Sequence, residues 1–144
     1  MADSSTSFQY ALIDIAVKRF CFESIDDKKW IIDALPITFQ ISFRFDPDSE
    51  KIFLFMVAKV CTPQDETIVA ELAVEYTFSV KGLGSLEKEN DLIKIPQPFL
   101  LNLINIGYGT LRGIFHERVA NTALSRVILP ILNVQDLINK GVEK

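Results

Sequence analysis

A chain of 144 residues has room for one domain with its own core and too little for two ordinary ones, so 1–144 is read as a single domain. Hydrophobic residues reach 49%, eleven Phe among them, against 24% charged; a solvated monomer of this size rarely needs that much apolar material, which predicts self-association or a greasy binding surface. The net charge is −4 and Lys and Arg are scattered, with Lys28–Lys29 the densest pair, so no basic stripe exists for a phosphate backbone and nucleic acid is excluded as a partner.

The opening MADSSTSFQY has no basic n-region and no apolar run, and nothing in it marks secretion. Residues 8–23 are extended in character, but their apolar positions change parity between Leu12 and Ile13, which predicts a bulge or bend. A long connection, 24–36, follows; it carries Trp30, Ile31, Ile32 and Leu35, and loops of that length usually have a function. Ile37, Phe39, Ile41, Phe43 and Phe45 alternate with polar residues, the pattern of a strand with one buried face, and Asp46-Pro47-Asp48-Ser49 ends it. Residues 52–60 are apolar on both faces and predict a strand that is central or covered on both sides, closed by Thr62-Pro63-Gln64-Asp65. The longest alternation runs over 68–80.

Gly82 and Gly84 then make a turn, and a charged, flexible piece leads to Pro96 and Pro98, suited to a helix start. The predicted helix spans 98–124, with Leu100, Ile104, Leu111, Phe115 and Val119 at helical spacing and little polarity before Arg112. It is too apolar for a monomer to cover, so Leu100, Ile104, Gly109, Leu111 and Phe115 are expected at an oligomer interface. Gly107, Gly109 and Gly113 each cost about 1 kcal/mol inside a helix and imply a kink or a close backbone approach. Asn133 and Asp136 resemble a capping box opening a short helix to about residue 140. Strands first and helices after is an α+β order.

Catalytic constellations are not assembled. The one histidine, His116, precedes Glu117, but position 120 is Ala where a zinc protease needs its second histidine. Cys21 and Cys61 would have to share that single base as nucleophiles, and they read as reduced thiols in strands rather than a disulfide. Gly82-Leu83-Gly84 lacks the third glycine and the apolar helix of a phosphate cradle. Glu71 and Glu75 sit on the solvent side of the alternation. The reading is a non-enzyme with no metal and no cofactor. The longest uncharged stretch, 95–111, holds two prolines and two glycines and at 17 residues is marginal for a bilayer, so no membrane insertion and a cytoplasmic location are expected.

The order of elements resembles the SecB protein-export chaperones. FCFES is similar to that family's ISFEA-type end of the first strand, TFSVKGL to its IFSIAGI-type fourth strand, LRGIFHERVANTAL to its ARE-type helix with Arg112 on the motif arginine, and ILPILNVQDLI to its LNLAPVNFDAL-type opening of the second helix. The resemblance implies four antiparallel strands, a crossover loop after the first, a long and a short helix, and a homo-tetramer, a dimer of dimers with helices sandwiched between eight-stranded sheets. It implies an ATP-independent holdase for unfolded or pre-secretory polypeptides, held by Trp30, Ile31, Ile32 and Leu35 of the crossover loop with Val134, Leu137 and Ile138 of the second helix. Glu23, Val69 and Glu71 match positions that dock the zinc-bearing tail of the export motor SecA. Gly109 stands where the family has Pro, Asn121-Thr122 replaces Arg-Gly, and Arg19 replaces an Asp of the docking face. The Arg19 departure favours a relative dedicated to one partner, such as the antitoxin of a toxin–antitoxin pair. From another class, a hotdog-fold thioesterase or dehydratase has similar size; there the long helix follows the first strand.

Overall fold

The computed structural model describes residues 9–23, 34–64, 66–85, 88–89, 92–93 and 95–131. Four long strands carry the predicted alternations: β1 (Tyr10–Phe22), β2 (Ile37–Asp46), β3 (Lys51–Cys61) and β4 (Ile68–Val80). They form one antiparallel sheet in the order β1-β4-β3-β2. A four-residue turn, 47–50, joins β2 to β3, and β3 and β4 follow each other as antiparallel neighbours. The connection from β1 to β2 therefore links opposite edges of the sheet, a Greek-key order that explains its length.

Cross-strand register puts the apolar positions on one face. Ile37, Phe39, Ile41, Phe43 and Phe45 of β2 stand opposite Val60, Ala58, Met56, Leu54 and Ile52 of β3, and the β3 residues stand opposite Ala70, Leu72, Val74, Tyr76 and Phe78 of β4. The inner residues of β3 and β4 are all buried. β3 is central, as predicted, but only its inner face is sealed: Phe53 and Phe55 on the other side are half-buried. In β1 two register shifts, at Leu12/Asp14 and Val17/Arg19, absorb the parity change. Each inserts one residue, so that Leu12, Ile15, Val17, Phe20 and Phe22 all face the same way as Tyr76 and Leu72. The first shift is the predicted bulge; the second, at Lys18, was not foreseen.

A short ladder pairs β5 (Lys88–Glu89) with β6 (Leu92–Ile93) inside the segment expected to be flexible. Helix α1 (Gln97–Val119) follows, capped by Pro96 in extended conformation. It lies on the inner face of β3 and β4, burying Phe99, Leu103, Ile104, Gly107, Tyr108, Leu111, Phe115 and Val119. Among the three glycines only Gly107 meets the sheet. A Cβ there would lie 2.8 Å from Leu54 Cδ2 and 2.9 Å from Met56 Sδ, and the Tyr76 hydroxyl donates a 2.7 Å bond to the Gly107 carbonyl. The helix ends at Val119, five residues short of the predicted limit. Thr122 is the cause: its hydroxyl donates to the Val119 carbonyl at 2.8 Å and accepts from the Leu124 amide at 3.0 Å, taking over the last carbonyl of the helix.

Past that turn the chain folds back along α1 and buries Leu124, Val127 and Leu129. Two side chains one helical turn apart hold it. Arg112 Nε donates to the Leu129 carbonyl at 2.9 Å, and the Tyr108 hydroxyl donates to the next carbonyl, of Pro130. Burial pushes the Tyr108 phenol up to about 12 against the opposing charge of Arg112, and it raises Tyr76 further.

Candidate functional site

Two surfaces emerge, one on each face of the sheet. On the inner side α1 covers β3 and β4 but leaves β1 only partly covered. Tyr10, Ile15, Val17 and Phe22 point inward yet are 38%, 43%, 37% and 42% exposed, and Ile13 at the bulge is 51% exposed. An apolar strip therefore runs along an edge strand beside the helix. The outward side of α1 presents Asn102, Asn105, Gly109 and Gly113, with no atom within 4 Å of a Cβ built on either glycine.

This arrangement divides the residues expected at an oligomer interface. Ile104, Leu111 and Phe115 are 0% exposed and spent on the chain's own core. Leu100 is half-buried at the rim, and Gly109 alone of the five stands in the open. The helical spacing was right; the direction in which those apolar residues point was not, because a helix apolar nearly all round does not reveal which side its own sheet takes.

The opposite face of the sheet collects the three residues matched to motor docking. Glu23 donates its backbone amide to the Val69 carbonyl at 2.9 Å, and Glu71 lies two residues further along β4, opposite Cys21. They form one end of the face, though Val69 is only 3% exposed. Glu71 is not free: Arg19 Nη1 lies 3.6 Å from its carboxylate. Next to it Glu75 is shared by Lys18 at 3.6 Å and Arg44 at 3.9 Å. Arg19, where the resembled family has an Asp, thus sets a cation beside Glu71 from the neighbouring strand. Neither Lys18, placed here by the second bulge, nor Arg44 was legible as part of this cluster.

Of the residues expected to hold a client, Trp30, Ile31, Ile32, Val134, Leu137 and Ile138 lie outside the described residues. Leu35 is described and belongs to the core, 6% exposed, where Cys61 N bonds the carbonyl of the following Pro36 at 2.9 Å. It fills the packing role that large apolar side chains take by default. Cys21 and Cys61 are free thiols; burial first, then Glu66, raises the Cys61 thiol, which leaves it a poor nucleophile at neutral pH. Among the described residues no group of three His, Cys, Asp or Glu could hold a metal ion, and no described helix is long and apolar enough to cross a membrane.

Comparison with solved structures places this architecture. A SecB-like chaperone from Mycobacterium tuberculosis, solved in complex with a ChAD peptide from the HigA1 antitoxin, superposes with a TM-score of 0.56 over 86% of this chain and 91% of its own, at 15% identity. The fold is SecB-like. A Streptococcus agalactiae protein of unknown function matches with a TM-score of 0.47 and 15% identity, over 88% of this chain and 99% of that one. No family profile and no curated sequence matches. With the long helix following the fourth strand, the element order also differs from that expected of a hotdog enzyme.

Proposed function

We propose that this protein is a cytoplasmic, ATP-independent holdase of the SecB type, which binds unfolded segments of other polypeptides and has no catalytic activity of its own. The observation that carries the reading is the SecB-like sheet and helix, shared over nearly the whole chain with a chaperone that holds an antitoxin peptide. The exposed apolar strip on β1 and the small-residue side of α1 support assembly into a dimer of dimers, with second copies covering Ile15, Val17 and Gly109. Client binding is assigned to Trp30, Ile31 and Ile32 with Val134, Leu137 and Ile138. Apolar burial, worth about 25 cal/mol per Å², supplies affinity there without demanding a sequence.

Between the two partner classes, the Arg19–Glu71 pair favours a dedicated client, such as an antitoxin, over pre-secretory proteins handed to SecA. A carboxylate already held at 3.6 Å must break that pair before it can dock a cationic tail. Two experiments test the proposal. Changing Trp30 and Ile31 to Ser should abolish suppression of aggregation of an unfolded test protein while leaving oligomeric mass and melting temperature unaltered; unimpaired protection would place the groove elsewhere, and unfolding would make the loop core. Titration with the zinc-bearing tail of SecA should give no binding that depends on Glu23 or Glu71, and salt-sensitive binding lost in Glu71→Gln would restore the export reading.

A further inference from the structure

The outer face of the sheet, turned away from α1, combines the ion pairs of Glu71 and Glu75 with an apolar floor. We propose that it is a docking surface for an extended acidic peptide segment of a partner protein, one that alternates carboxylates with apolar side chains. Register builds it row by row: Arg44, Phe53 and Thr77 in one, Ser42, Phe55 and Glu75 in the next, then Gln40, Val57, Ala73 and Arg19, then Thr38, Lys59 and Glu71. The floor is apolar, Phe53 and Phe55 half-buried beside Val57 and Ala73. No described helix covers it.

The vertical arrangement of charge decides the sign of the partner. The two carboxylates of β4, Glu75 in the second row and Glu71 in the last, lie low, with side-chain exposures of 14% for Glu71 and 24% for Glu75, and both are engaged. The cations above them stand out, Lys18 at 53% and Arg19 and Arg44 at 64% each. Lys59 stands opposite Glu71 in the register. Asp14, Glu23 and Asp46 also belong to this face, at its margins. A ligand approaching Glu71 or Glu75 therefore meets cationic heads first. Each guanidinium has five N–H donors and gives only part of them to the glutamates, leaving donors for an incoming carboxylate. A basic ligand would have to displace Arg19 from Glu71, and Lys18 and Arg44 from Glu75. Arg44 also lies 3.9 Å over the Phe53 ring, so charge and apolar surface are presented side by side. An alternating peptide matches that pattern, because its side chains project with the same period as the sheet.

The surface is built from residues other than those assigned to client binding, and the proposal does not depend on holdase activity. The probe is a fluorescein-labelled synthetic peptide alternating Glu with Phe and Leu, compared with the same peptide carrying Lys for Glu, by fluorescence anisotropy on the full chain. Binding of the Glu peptide is expected in about 0.1 M salt and should fade in about 1 M, as the Debye length contracts from about 10 Å to about 3 Å. Arg44→Glu combined with Lys59→Glu should weaken it about tenfold, with aggregation suppression unchanged. Glu71→Gln combined with Glu75→Gln should tighten it, a gain that misfolding cannot mimic. The proposal is overturned if the Lys peptide binds as tightly as the Glu peptide, if neither variant pair alters the affinity, or if the Glu peptide fails to bind at low salt. Failure of the parent protein to suppress aggregation would strike the chaperone reading and leave this one standing.

Discussion

Alanine at position 107 is the most direct probe of how α1 seats on the sheet. The new Cβ would lie 2.8 Å from Leu54 Cδ2, 2.9 Å from Met56 Sδ and 3.2 Å from Tyr76 Cε2. Leu54 and Met56 are 0% and 1% exposed, so their side chains have little space to retreat into. Tyr76 is fixed from the other end by its bond to the Gly107 carbonyl. Forcing a methyl group into a close-packed site costs about 1–3 kcal/mol. Lifting the helix to relieve it stretches the tyrosine bond, a further loss of about 1 kcal/mol, while removing glycine from a helix interior returns about 1 kcal/mol. The sum is a destabilisation of about 1–3 kcal/mol. Gly113→Ala is the control: nothing lies within 4 Å of its Cβ, so the propensity term acts alone and stabilises by about 1 kcal/mol. Urea unfolding with linear extrapolation, at matched oligomeric mass, should therefore separate the two variants by about 2–4 kcal/mol with little change in slope. A Gly107→Ala midpoint at or above that of the parent would refute the close approach as the reason for this glycine.

Three further outcomes are expected. Gly109→Phe should lower the mass seen by light scattering under the proposed assembly, in which a second copy packs on the open glycine side of α1; an unaltered mass would give that glycine another purpose. Arg112→Ala should strand the Leu129 carbonyl and cost about 1.5–3 kcal/mol, as for a hydrogen bond to a charged group; limited proteolysis should then cut within 120–131 before the sheet is attacked, and an unchanged digestion pattern would contradict the anchoring role. Alkaline pH should destabilise the fold. Tyr108 is pushed up to about 12 when folded, against about 10 in the unfolded chain, so stability present below pH 10 drains away as pH rises through that window, and Tyr76 acts in the same direction. Tyr108→Phe should flatten the decline of stability above about pH 10, and a decline as steep as that of the parent would refute the assignment.

Much of the architecture is local and could be read directly. A period of two over 37–45 and 68–80 leaves a strand with one buried face as the only economical solution, and the turn residues at 46–49 and 62–65 separate the strands wherever they end up in space. The parity break at Leu12 announced its bulge for the same reason, since one extra residue is all that keeps Ile15 on the side of Leu12. What could not be read locally depends on which residues meet across distance. The cost of a glycine in a helix is the same at 107, 109 and 113, yet only the register of α1 against β3 and β4 assigns the close approach to Gly107 and leaves the other two open. Ile104 and Phe115 looked as available as Leu100 until the sheet occupied their side of the helix. Arg19 and Glu71 lie on strands that become neighbours only because the chain crosses from one sheet edge to the other, so the charge of the outer face is a sum over strands rather than a property of any segment. Hydrophobic period is set by the backbone geometry of one element, whereas burial and ion pairing are set by the packing of several, and the second kind of information is absent from any single stretch of sequence.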